Sequence, residues 1–100
     1  MKDNFPNLDK VFENRVRLGI MSMLMVNDWM DFNTMKEKLG VTDGNLASHL
    51  TTLEKNDLIE VRKQFVGRKP NTRYSATFSG RKAFEKHLDQ LEKIIRNYRK

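Results

Sequence analysis

Apolar residues recur at three- and four-residue steps through Val11, Phe12, Val16, Ile20, Met23 and Leu24, the spacing of one helix face. Asn14 is placed to cap this helix, which the pattern carries from about Arg15 to Val26. Gly19 falls inside it. Glycine there costs about 1 kcal/mol relative to alanine, so the position marks a close contact with another element. Residues 1–12 read as an N-terminal arm, in which Phe5, Pro6 and Leu8 can pin residues 1–8 to the body or to a second copy.

Asn27-Asp28-Trp29 breaks the helical pattern, and Met30-Asp31-Phe32 suits a very short strand. Asn33 is a good N-cap for a helix over Thr34–Leu39 with Met35 and Leu39 inward, and Gly40 ends it. Val41 turns inward and Thr42 caps a third helix whose buried stripe is Leu46, Leu50 and Leu53. Asn56, tolerant of positive φ, is its expected stop. The period then changes from helical to two. Ile59, Val61 and Phe65 alternate with Glu60, Arg62 and Gln64. Gly67-Arg68-Lys69-Pro70 reads as a turn, and Thr72, Tyr74 and Ala76 alternate in a second strand. The two strands predict a hairpin over 58–77. Thr77 or Ser79 then caps a last helix over 78–98, striped by Ala83, Phe84, Leu88, Leu91, Ile94, Ile95 and Tyr98.

This is one domain spanning residues 1–100, mainly α with a small β-hairpin, an α+β fold. Cysteine is absent, which excludes disulfides and thiolate metal sites. No apolar run approaches the ~18 residues of a membrane span, and the N-terminus lacks the apolar core of a signal peptide. A cytoplasmic protein without membrane association is therefore expected. The net charge of +6 is unevenly placed: residues 1–50 balance at −1 and residues 51–100 at +7. Between Val61 and Phe84 there are seven bases and no acid. Such a zone attracts polyanions, because neutralising phosphates releases condensed counterions.

The short helix ending in glycine, the tight turn and the one-sided third helix make a helix-turn-helix over 33–56. With Leu46, Leu50 and Leu53 fixed inward, Gly44, Ser48, Thr51 and Lys55 point the opposite way, flanked by Asn45 and Thr52. Small hydrogen-bonding side chains are what a helix needs to enter a major groove about 12 Å wide and touch base edges. Asn45 suits a bidentate pair with adenine. Asp43 suits the helix dipole but opposes phosphate. Asn33, Thr34, Thr42 and His49 join the candidate DNA-binding set. The hairpin adds Arg68, Lys69 and Arg73, cations expected at the end of a projecting ribbon that lies on a minor groove.

At this point the chain resembles a family. Asn14–Met21, Phe32–Leu39, the run Thr42-Asp43-Gly44-Asn45-Leu46-Ala47-Ser48-His49-Leu50-Thr51-Thr52-Leu53-Glu54, then Phe65-x-Gly67-Arg68-x-Pro70-x-Thr72 and Gly80-Arg81-x-Ala83-Phe84 look like winged-helix DNA-binding regulators near the MarR and ArsR groups. The resemblance covers about residues 14–95. It implies a bacterial or archaeal transcriptional regulator, a repressor by default, that binds operator DNA as a homodimer. Two positions depart from the pattern: Asn56 stands where glycine is usual, and Ala76 where a larger aliphatic residue is usual.

The last helix supplies the dimer argument. Three helices and the hairpin already fill a core of this size, which leaves Leu88, Leu91, Ile94, Ile95 and Tyr98 to pack on a twofold mate or to fold back on the first helix. His49 and His87 are the only histidines, too few for a metal site, and no cofactor is expected. His49 suits a backbone or phosphate contact. The dense methionines 21, 23, 25, 30 and 35 fill core or line an adaptable pocket, and Trp29 anchors an interface or covers the core edge. No nucleophile–base pair or glycine-rich phosphate loop points to an enzyme. The rival readings are a winged-helix protein-docking module and an RNA-binding winged helix.

Overall fold

The computed structural model describes residues 9–99. The expected pinning role of Phe5, Pro6 and Leu8 lies outside the described residues. A single 3₁₀ turn, Lys10–Phe12, precedes α1 (Arg15–Val26). Strand β1 (Met30–Asp31), α2 (Phe32–Leu39) and α3 (Asp43–Lys55) follow, then the hairpin strands β2 (Ile59–Val66) and β3 (Lys69–Ala76), and α4 (Phe78–Tyr98). The three strands form one antiparallel sheet in the order β1-β3-β2.

Sequence dictates most of these boundaries through caps. The Asn14 carboxamide oxygen accepts from the Val16 and Arg17 N–H groups at 2.9 and 3.0 Å, so α1 begins at Arg15. Thr42 Oγ1 accepts from Asn45 N–H at 3.1 Å and opens α3. Thr77, not Ser79, opens α4: its hydroxyl accepts from Gly80 N–H at 2.9 Å and donates to the Asp57 carbonyl at 2.7 Å.

Several boundaries differ from the sequence expectation. Helix α2 starts at Phe32 and is capped by Asp31 rather than Asn33. The Asp31 carboxylate accepts from Thr34 N–H at 2.7 Å, which holds that carboxyl below its ordinary value. Asn56 is not the left-handed stop of α3. It keeps φ −92°, its carboxamide donates to the Thr52 carbonyl, and Asp57 takes the positive φ of 58°. The hairpin turn is only Gly67-Arg68, with Gly67 at φ 65°, and Lys69 and Pro70 already belong to β3. A two-residue loop with a positive φ matches the right-handed twist of its strands, which is why glycine stands there. Pro70 is tolerated because β1 covers β3 only at Arg73 and Tyr74, leaving the other edge open beside it. The arm does not extend to residue 12, since the Phe12 ring is core.

That core joins Phe12, Val16, Ile20, Met21 and Leu24 to Met30 and Met35, the α3 leucines, Leu58 and Ile59, Tyr74 and Ala76, and Phe84. Phe12 meets Phe84 edge to face with ring centroids 5.2 Å apart. Methionines 21, 30 and 35 are buried and 23 and 25 pack against them, so all five fill core. Ala76, small for its place, is buried opposite Ile59. Gly19 marks the close contact its position implies, with Leu39 of α2. Gly80 is tighter still: a Cβ there would collide with the backbone carbonyl of Leu58, which already accepts from Thr77 N–H at 3.1 Å. No flexible side chain is available to give way. Gly80→Ala is therefore expected to destabilise the fold by about 1–3 kcal/mol, despite alanine's better helix propensity. Urea unfolding followed by circular dichroism checks this, and a variant as stable as the parent would show that the α4 start is free to shift.

Candidate nucleic-acid interface

Leu46, Leu50 and Leu53 are buried as one stripe. The helical period therefore leaves Gly44, Asn45, Ser48, Thr51 and Lys55 exposed on the far side of α3. Thr42 is exposed at the cap. Thr52 is half-buried, and its hydroxyl donates to the Ser48 carbonyl at 3.2 Å. Asn33 is exposed and Thr34 half-buried at the start of α2. A groove of about 180 Å³ separates the Asp31–Asn33 end of α2 from Pro70, Asn71 and Thr72 of β3. The α2 N-terminus and the wing thus border one surface.

Asp43 is the one acid in the first turn of α3, and the geometry deals with it directly. Its carboxylate lies 2.8 Å from Lys36 Nζ of α2, the Asp43 side chain being largely in solvent and that of Lys36 partly covered. The Lys36 ammonium opposes the negative charge that Asp43 would set against phosphate. An exposed pair of this kind contributes at most about 1 kcal/mol to stability.

The wing carries its cations in two groups. Arg68 in the turn and Lys69 beside it are exposed at the tip. Arg73 is not at the tip. It lies at the wing base, opposite Arg62 across the β2–β3 ladder and opposite Asp31 across the β1–β3 ladder. Both guanidinium groups lie over the Trp29 ring, at 4.7 Å for Arg62 and 5.1 Å for Arg73. Like charges directly opposite on a sheet repel, and the negative π face of Trp29 offsets that repulsion here. Trp29 thus braces the base of the wing. Farther out, Phe65 is 73% exposed: the alternation has the right parity, but the core has ended beneath it.

His49 lies on α3 one turn from Asn45 and from Thr52, and it is half-buried. Arg17 of α1 supplies its partner, a contact between residues 32 apart that no local sequence signal announces. His87 is buried against Phe12 and Phe84, with ring centroids 5.2 and 6.4 Å away. The described residues contain no cluster of His, Asp and Glu able to hold a metal ion. Nor is any of their helices long and apolar enough to cross a membrane.

A three-stranded sheet with a projecting basic ribbon, set beside a helix-turn-helix whose second helix buries only one face, defines a winged helix. The chain belongs to the winged helix DNA-binding domain family, whose model matches residues 16–95. It is 34% identical over 88 residues to an uncharacterized protein of Methanocaldococcus jannaschii, spanning 88% of this chain and 96% of the relative. Its fold superposes on a transcriptional regulator homologue of Pyrococcus horikoshii with a TM-score of 0.83 and 31% identity, covering 90% of this chain and 89% of the other. A MarR-family regulator of Silicibacter pomeroyi shares the fold at a TM-score of 0.66 and 16% identity, over 79% of this chain and 52% of its own.

The Lys36–Asp43 pair gives a direct test of where the polyanion approaches. Asp43→Asn is expected to change unfolding free energy by less than about 1 kcal/mol. It leaves Lys36 uncompensated, so duplex affinity should rise severalfold, most at low salt. Fluorescence anisotropy at two salt concentrations reads this, and equal affinity for both proteins places the α2–α3 corner away from the DNA.

Proposed function

We propose that this chain is a cytoplasmic, homodimeric repressor that occludes promoters by placing α3 in a major groove and its wing on the adjacent minor groove. The observation that carries the proposal is the one-sided burial of α3 beside a two-residue basic wing tip. Leu46, Leu50 and Leu53 are spent on the core, so Asn45, Ser48 and Thr51 are free for base edges, while Thr52 and Lys55 border them. Asn33, Thr34 and Thr42 sit where phosphates flanking that groove would run, and Arg68 and Lys69 reach outward from the wing. In this arrangement Arg73 acts through the wing base rather than as a tip cation.

The dimer rests on α4. Of its 21 residues only Gly80, Phe84 and His87 are buried, all in its first half. Beyond them Leu88, Ile95 and Tyr98 are exposed and Leu91 and Ile94 half-buried, an apolar stripe on a helix that leaves its own core behind. A second copy of the same helix is the self-complementary cover for such a stripe. The description of the 31% identical Pyrococcus horikoshii protein as a transcriptional regulator homologue supports the role.

Two substitutions separate the two kinds of contact. Arg68→Ala should weaken binding to every duplex and reduce the slope of log affinity against log salt by about one. Ser48→Ala should cost about 1–3 kcal/mol on a site selected from a random duplex pool and little elsewhere. Uniform loss with Ser48→Ala reassigns that residue to phosphate. An unchanged salt slope with Arg68→Ala removes the wing from the contact. Structured RNA competing as well as duplex would favour an RNA-binding role.

Ile95→Glu tests the assembly, because a carboxylate in an apolar interface lacks a partner and costs several kcal/mol. The variant should be folded by circular dichroism, monomeric by light scattering, and strongly weakened on a two-half-site duplex while retaining salt-sensitive non-specific binding. A folded variant that stays dimeric puts the twofold contact on another face.

A further inference from the structure

The Arg17 side chain joins three segments. Its Nε–H donates to the Val11 carbonyl at 2.7 Å, and a terminal nitrogen lies 3.0 Å from His49 Nδ1 on α3. A guanidinium has five N–H donors and no lone pair to offer. The contact is therefore a hydrogen bond only if Nδ1 is the acceptor, which puts the proton of the neutral imidazole on Nε2. Asn45, His49 and Thr52 are spaced four and three apart, so they form one ridge along α3, and His49 is the member nearest the buried stripe.

We infer that Arg17 is a positioning residue that fixes His49 as an Nε2–H donor at the edge of the DNA-reading face. This rests on the proposed groove placement of α3. A donor-only imidazole selects acceptors: phosphate oxygens, or N7 and O6 of guanine, N7 of adenine and O4 of thymine, and it rejects the amino groups of cytosine and adenine. Arg17 itself is turned inward to Val11 and His49 and neutralises no phosphate.

Protonation dismantles the link. An imidazolium carries N–H on both nitrogens, so Nδ1 would face a guanidinium donor and two cations would stand side by side. Burial first, and then the Arg17 charge, hold the His49 imidazole below its ordinary value, which keeps the ring neutral to lower pH. The neighbours one turn away on α3 (Asn45, Leu46, Thr52, Leu53) carry no charge, and from α1 the charged group acting on the ring is Arg17.

The test begins on the free protein, with long-range ¹H–¹⁵N correlation of the two imidazoles across a pH titration. Wild type should show His49 with an unprotonated Nδ1 at neutral pH, and Arg17→Met should move its titration midpoint upward. A His49 that is protonated on Nδ1 in wild type, or a midpoint unmoved by Arg17→Met, overturns the inference. The second arm uses the selected duplex. His49→Gln, whose amide N–H reaches about as far as Nε2–H, should bind within about threefold of wild type, and His49→Asn should lose about tenfold. Arg17→Met should weaken that site severalfold with the salt slope unchanged, whereas a slope lowered by about one would make Arg17 a phosphate contact and overturn its positioning role. His49→Asn binding as tightly as wild type overturns the donor assignment while leaving the groove placement standing. Absence of duplex binding by wild type defeats the groove placement itself, and the imidazole spectra report the Arg17–His49 link independently of it.

Discussion

Everything outward-facing in this molecule depends on three leucines facing inward. Leu46, Leu50 and Leu53 are held against a core centred on α1, and burying each contributes roughly 1.5–3 kcal/mol. That is far more than any single polar contact on the opposite face could supply. The rotation of α3 about its axis is therefore decided by apolar packing, and the polar face receives its direction without contributing to it. This separation lets Gly44, Asn45, Ser48 and Thr51 vary in chemistry while the fold stays fixed. Glu54, also exposed, lies on the side of the helix away from Asn45 and Thr52.

Much of this was legible in the sequence because caps and periods are local. Asn14, Thr42 and Thr77 opened helices where their positions implied, and the shift to a period of two at Ile59 marked the hairpin. Asp31 and Asn33 show why boundaries are harder. Both residue types cap, and Met35 lies inward from either start. The choice fell to Asp31 because pairing of β1 with β3 holds its carboxylate under the Thr34 N–H. Asn56 and Asp57 likewise both tolerate a left-handed backbone, and the Asn56 carboxamide found a helix carbonyl instead.

The features that escaped sequence reasoning are those made by register and tertiary approach. Arg62 and Arg73 become neighbours only through the β2–β3 pairing, and Trp29 reaches them only because β1 adds to the far edge of β3. Read from the chain, Arg73 is one more base after a basic turn. In the fold it is half of a cation pair resting on an indole. Arg17 is similar: no local pattern singles it out, whereas in the fold it joins the Val11 carbonyl to His49.

Pro70 carries a consequence for behaviour in concentrated solution. The outer wing is a two-stranded ribbon, because β1 ends before reaching it, and a ribbon edge with free N–H and C=O groups is a template for strands of other molecules. Proline removes one donor from that edge, and Lys69 adds a charge next to it. The residues beside the turn thus leave the ribbon extended while making its β3 edge a poor splint for a second ribbon. Crowded copies are thereby hindered from zipping together along the β3 edges of their wings.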